Sequence, residues 1–285
     1  MAVEPARWTD GIEHAAAGES GVRLVRTVLM CHAGDAFDRE GLAAWMASFS
    51  DLAGLVVIDE TSAQKRARVR RELRRLGPWR FLDVLAMRLY YRLTLAAADR
   101  RWMADSLAAL HRRFGRPARV PELHVSDANA VEVARFLREH KPDVMIARSK
   151  QLLARRIFRI PRHGALVMHP GICPEYRNAH GCFWALAERE LDRVGLTLLR
   201  IDAGVDTGPV YGYFTYPFDE SRESHVRVQY RMVLENLDAI AQRIRDIVAG
   251  KAEAMDTSGR RSGTWGQPWL SRYLRWKRAA RERAG

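Results

Sequence analysis

Cysteine is scarce. Cys31, Cys173 and Cys182 are the only three in 285 residues, with no CxxC pair and no histidine at zinc-ligand spacing beside them. Neither a disulfide framework nor a structural zinc site therefore organises the chain. The expected state of these thiols is reduced and packed as small apolar groups, in a reducing, cytoplasmic compartment. No apolar run approaches the roughly eighteen residues of a spanning helix, so no membrane span is expected. The first twenty residues hold Glu4, Asp10, Glu13 and Glu19 and no apolar stretch, which is unlike a secretory signal. GxGxxG after the first strand, GxxxxGK and internal repeats are all missing, which removes the usual support for dinucleotide-binding and P-loop readings.

What the chain does have is a hydrophobic fraction of 47%, ample for a sizeable core, and a formal net charge of +13. Much of that charge is local. Lys65, Arg66, Arg68, Arg70, Arg71, Arg74 and Arg75 form one cluster, and Arg272, Arg275, Lys277, Arg278, Arg281 and Arg283 form another. Two readings stay open: solvated helix faces, or attraction for nucleic acid, an anionic membrane face or an anionic ligand.

The order of elements reads as α/β. A β-branched run, Leu24–Met30, and the run Leu55–Ile58 are strands. Residues 61–115 turn helical, with Val69, Leu73 and Leu76 in one segment and Phe81, Leu85, Leu89 and Leu93 in the next, broken at Gly77-Pro78. Asp127 is placed to cap a helix carrying Val133 and Leu137, followed by strands at Asp143–Ala147 and Ala165–Met168 with a short helix at Leu152–Ile157 between them. A strand at Leu196–Ile201 and one long amphipathic helix from Val226 to Ile247, closed by Gly250, complete the pattern. Strands alternating with helices predict a Rossmann-like, doubly wound, mostly parallel sheet with a helical insertion and a short C-terminal helical or irregular tail. The expected division is a flexible segment 1–21, a catalytic domain 22–215 with its insertion at about 61–115, and a helix with a basic, aromatic tail at 216–285. Trp265, Trp269, Tyr273 and Trp276 in that tail are expected to pack on the domain.

Two loops hold nearly all the candidates for chemistry: His169-Pro170-Gly171-Ile172-Cys173-Pro174-Glu175-Tyr176-Arg177 and Asp202-Ala203-Gly204-Val205-Asp206-Thr207-Gly208-Pro209. His169 directly follows a strand, and both loops are expected at the C-terminal edge of the sheet, where open α/β sheets bind ligands. The glycines of the second loop force tight turns around one carboxylate and expose backbone groups to a planar ligand. His169 and Asp206 then read as an acid–base pair.

The stretch Gly164–Gly212, with His-Pro-Gly-(x)3-Glu-Tyr-Arg from His169, Val-Gly-Leu-Thr from Val194 and Asp-Ala-Gly-Val-Asp-Thr-Gly-Pro-Val from Asp202, resembles the signature of the folate-dependent formyltransferases. That superfamily includes glycinamide ribonucleotide, methionyl-tRNA and sugar N-formyltransferases. The resemblance implies a domain that binds 10-formyltetrahydrofolate and passes its formyl group to an amine. It implies His169 and Asp206 as catalytic residues, and Asp202, Ala203, Gly204, Val205, Thr207 and Gly208 as the segment that receives the pterin. The family's Asn two positions before the histidine is Val167 here, so one hydrogen-bond donor to the negative formyl oxygen is missing. Asn178, Arg177 or His180 are candidate replacements.

The implied acceptor is a small-molecule or sugar-nucleotide amine, with a homodimer allowed. Nothing beyond Lys251 alternates like the barrel of the tRNA enzyme, so nucleic acid is the disfavoured partner. A binding protein that kept the fold and lost the donor, and a reader of anionic surfaces built on residues 65–91, remain as alternatives.

Overall fold

The computed structural model describes residues 24–117 and 119–284, so the expected flexible segment 1–21 lies outside the described residues. β1 (Arg26–His32) is followed by a π-helical turn, Phe37–Leu42, and α1 (Ala43–Phe49), then β2 (Asp51–Ile58). The insertion consists of α2 (Ser62–Tyr90) and α3 (Ala96–Phe114), joined by a π-helical segment, Tyr91–Leu95. Next come β3 (Glu122–Val125), α4 (Val131–His140), β4 (Val144–Ala147), α5 (Arg155–Phe158) and β5 (Ala165–His169). β6 (Arg177–Asn178), α6 (Gly181–Ala187), β7 (Leu196–Arg200) and β8 (Val210–Phe214) lead to α7 (His225–Leu234), α8 (Leu237–Val248), β9 (Thr264–Trp265) and α9 (Leu270–Ala284).

Seven strands form one sheet in the order β3-β2-β1-β4-β5-β7-β8, and β6 pairs with β9 in a separate two-stranded ribbon. β3 through β5 run parallel, whereas β7 is antiparallel to both β5 and β8. The pleat sorts alternate residues of β1 to opposite faces. Val28 and Met30 pack with Val133 and Leu137 of α4, while Leu29 and Cys31 join α1, α6, α7, α8 and α9. Three layers result, with the sheet in the middle.

Several elements depart from expectation. β3 and β8 are too short and mixed in character to stand out as buried runs. The long helix expected at Val226–Ile247 is two, because Glu235 and Asn236 interrupt it and the Asn236 side chain donates to the carbonyls of Met232 and Thr215. Asp127 does not cap α4; its side chain accepts from Asn129 N, and the N-cap position is Ala130. Gly77 does break α2, with φ 75° and ψ 168°, a conformation open to glycine at no steric cost. The α2 start is a capping box: Gln64 N donates to the Thr61 hydroxyl at 3.2 Å, and Thr61 N to the Gln64 side chain at 2.8 Å.

The tail packs. Tyr273, Trp276 and Ala280, one helical face of α9, are buried in the main core. Lys277 is buried beside them because its ammonium donates to the carbonyls of Glu220 (2.7 Å) and Glu223. Cys31, Cys173 and Cys182 are free thiols, all buried.

Candidate active site

His169 is the last residue of β5, and its ring is almost wholly buried. Its Nε2 lies 2.7 Å from the Tyr176 carbonyl oxygen, so Nε2 carries a proton and donates it there. That fixes the other nitrogen, Nδ1, toward the Asp206 carboxylate, 3.4 Å away. Asp206 stands at φ 50°, a left-handed conformation that Asp tolerates better than most residues. Its Oδ2 also accepts from Asn178 N at 2.8 Å.

The loop that carries Asp206 does not leave the sheet where the sequence suggests. Because β7 is antiparallel to β5, Arg200 lies opposite Leu166, and the loop departs from the N-terminal end of β5. It then folds back over the sheet face to meet His169. Three features hold the fold-back. Asp202 Oδ1 accepts from Gly204 N (2.9 Å) and the Thr207 hydroxyl (2.8 Å), Arg177 Nη1 donates to the Val205 carbonyl (3.0 Å), and Gly208 sits so close to the Arg200 carbonyl that a Cβ would lie 1.8 Å from it.

Beneath this loop lies an open pocket of about 580 Å³, a volume that includes space continuous with solvent. Val167, Leu199, Ile201, Leu152 and Leu153 give it apolar walls. Asp202, Ala203, Gly204 and Val205 line it together with Asp206, whereas Thr207 and Gly208 shape the turn behind. Loop backbone thus stands beside apolar walls, with the Asp206 carboxylate among the lining groups.

Val167 faces the pocket across from Leu199. Of the three suggested replacement donors, Asn178 Nδ2 donates to the Trp265 carbonyl and Arg177 Nη1 to the Val205 carbonyl, while Arg177 Nε is buried without a partner among the described residues and His180 Nδ1 accepts from the Gln229 amide. Gln151, which also lines the pocket, spends its side chain on Ala128 N and the Ser126 carbonyl.

Around this pair, distant residues do what the sequence does not advertise. Glu175, 1% exposed, is held by both Arg260 (3.0 and 2.8 Å) and Arg193. Trp265 stacks on Tyr176 and Trp184 and donates Nε1–H to the Glu175 carbonyl at 2.8 Å. The parallel pairing of β6 with β9 thus straps the chain after His169 to a segment about ninety positions away, which local patterns do not reveal. Arg148 donates to Asp38 (3.0 Å) and to the Met168 carbonyl (3.0 Å); burial pushes the Asp38 carboxyl up to about 6, and Arg148 opposes the rise.

On the other side of His169 the edge is cationic. Burial and the Lys150 charge hold His32 below its ordinary value, and burial, then Lys150 and Arg88, push His180 down to about 4. Both rings are therefore neutral at pH 7.

Residues 108–244 match the formyl transferase family model. That stretch, just under half of the chain, is similar to the formyltransferases. A methionyl-tRNA formyltransferase of Geobacter metallireducens is 36% identical over 90 residues, 31% of this chain and 29% of that protein. One from Nitrosomonas europaea is 32% identical over 151 residues, 50% of this chain and 42% of that protein. The match thus spans less than half the length of these curated relatives. In fold, the chain resembles phosphoribosylglycinamide formyltransferase of Anaplasma phagocytophilum, with a TM-score of 0.52 at 13% identity over 86% of this chain and 100% of the other. A 4-N formyltransferase of Francisella tularensis gives 0.51 at 12% identity over 90% and 87%. Among the described residues, no helix is long and apolar enough to cross a membrane and no cluster could hold a metal ion.

Proposed function

We propose that this chain transfers the formyl group of 10-formyltetrahydrofolate to the amine of a small-molecule or sugar-nucleotide acceptor. The observation that carries the reading is His169 Nδ1 facing the Asp206 carboxylate at 3.4 Å, at the mouth of the pocket under the Asp202–Gly208 loop.

The donor supplies an activated one-carbon group whose carbonyl oxygen gathers negative charge as the acceptor nitrogen attacks. The walls formed by Val167, Leu199 and Ile201 and the loop backbone at Ala203–Val205 hold its ring. His169, when protonated, can donate a hydrogen bond from Nδ1, which lies 3.4 Å from the Asp206 carboxylate. Asp206 also receives the proton lost by the amine, directly or through a water, on the oxygen that Asn178 N orients, and returns it to the donor nitrogen as the bond from that nitrogen to the formyl carbon breaks and tetrahydrofolate leaves.

The acceptor side supports an anionic amine. Lys150 and Arg88 bring positive charge to the rim beside His180, which favours an acceptor bearing phosphate, as a sugar nucleotide does. Turnover of 10-formyltetrahydrofolate with a panel of amino-sugar nucleotides and a formylatable initiator tRNA separates these acceptors.

A second reading rests on Val167. With no side-chain amide aimed into the pocket, the protein is a folate binder without transfer. Tight tetrahydrofolate binding with no acceptor-dependent release distinguishes it from the first.

A further inference from the structure

The second half of α2 is amphipathic twice over. Phe81, Val84 and Met87 turn inward and are buried. On the opposite side of the same helix, Trp79, Leu82, Leu89 and, in the π-helical segment, Leu93 stand 83%, 54%, 58% and 73% exposed. Their spacing of three, seven and four residues keeps them in one stripe. A monomeric protein seldom leaves such a row of large apolar side chains uncovered.

The surroundings identify what covers it. Residues 62–95 carry ten Lys and Arg against two acids, a surplus of eight out of a chain total of +13. Both acids are already engaged: Glu72 pairs with Arg75, and Asp83 accepts from the Ser271 backbone and hydroxyl. In the first half of α2, Arg70, Arg71 and Arg74 line a shallow groove beside Ala67. A second copy of this face would set one charge surplus against another. Nucleic acid would meet the arginines but leave the leucines uncovered. An anionic lipid surface satisfies both: headgroups neutralise the guanidinium groups while Trp79, Leu82, Leu89 and Leu93 enter the boundary with the acyl chains.

We propose that α2 is a peripheral membrane-docking helix that binds anionic bilayers, with the Arg70–Arg71–Arg74 groove on the headgroups and the Trp79–Leu93 stripe in the interface. The inference is independent of the formyl-transfer reading.

Co-sedimentation of the full chain with phosphatidylcholine vesicles, with and without phosphatidylglycerol, tests it, with a thermal melt by circular dichroism as a check on folding. The wild type is expected to pellet with phosphatidylglycerol vesicles only and to be released by high salt. Two variants carry the test further. Trp79→Ser/Leu82→Ser/Leu89→Ser is expected to lose pelleting, and Arg70→Gln/Arg71→Gln/Arg74→Gln to bind roughly a hundredfold more weakly, given the gain per basic residue near an anionic surface. Wild type that stays in the supernatant at low salt would overturn the proposal whatever the variants do. So would pelleting that the folded serine variant retains. A dimer seen by sedimentation velocity and dissolved by the serine substitutions would assign the stripe to a second copy. RNA binding that outcompetes vesicles and survives those substitutions would assign the face to nucleic acid.

Discussion

His169 donates a hydrogen bond from Nε2–H to the Tyr176 carbonyl, 2.7 Å away, and by doing so commits Nδ1 to the side where Asp206 lies. A backbone carbonyl seven residues along the chain thus chooses which nitrogen faces Asp206. The strap that holds Tyr176, through Trp265, reaches the His169–Asp206 pair at one remove.

Removing either partner of that pair removes the proton-handling chemistry. His169→Ala and Asp206→Asn are each expected to lower kcat by roughly 10²- to 10⁴-fold, with folate affinity changed far less. Steady-state kinetics beside tetrahydrofolate titrations separates the two effects.

Val167 leaves the pocket wall without an amide. Val167→Asn places a donor next to His169 on the same face of β5 and is expected to raise kcat, by up to roughly a hundredfold if the new amide reaches the formyl oxygen. An unchanged kcat in a folded variant would show that the transfer does without that donor.

The strap predicts a split between stability and turnover. Trp265→Ala loses two stacked rings and the bond to the Glu175 carbonyl, and is expected to cost roughly 2–4 kcal/mol in denaturant unfolding. It also frees β6, so Asn178 N should drift from Asp206 and kcat should fall even where the protein remains folded. Trp265→Phe keeps the stacking and is expected to restore most of the stability.

Acid should weaken the fold through His225. Burial among Tyr91, Phe183 and Tyr273, with His180 nearby, pushes its pKa down to about 3 from an ordinary 6.5. Between these values the unfolded chain binds a proton that the folded chain refuses. Stability contributed by the neutral ring is therefore intact above pH 6.5 and falls as the pH drops toward 3, by at most about 1.4 kcal/mol per pH unit. His180, held near 4, acts with the same sign. His225→Phe also removes a buried Nδ1 that has no partner among the described residues. It is expected to flatten the dependence of Tm on pH from 6.5 to 4.

Much of the fold is legible in short signals. β1, β2, β4 and β5 are buried on both faces and so read as continuous apolar runs, and the Gly77-Pro78 break in α2 is visible as a pair of residues. His169 and Asp206 announce themselves by local context, a histidine ending a strand and a carboxylate among glycines. What stays hidden depends on pairing partners. The direction of β7 decides from which end the Asp206 loop departs, and no residue of β7 encodes that direction by itself. The grip of Arg260 on Glu175 spans 85 positions and looks in sequence like one more arginine in a basic tail. The outward stripe of α2 is hidden for another reason: Leu85 and Leu89 share a four-residue spacing with Phe81, and only the packing shows which side faces the core.

The central claim is that His169 and Asp206 form a working one-carbon site, and acceptor-dependent release of tetrahydrofolate from 10-formyltetrahydrofolate measures it most directly. The account predicts release with an amino-sugar nucleotide present, and loss of that release in both His169→Ala and Asp206→Asn. Release that persists undiminished in either folded variant, or folate that fails to bind the wild type, would contradict it.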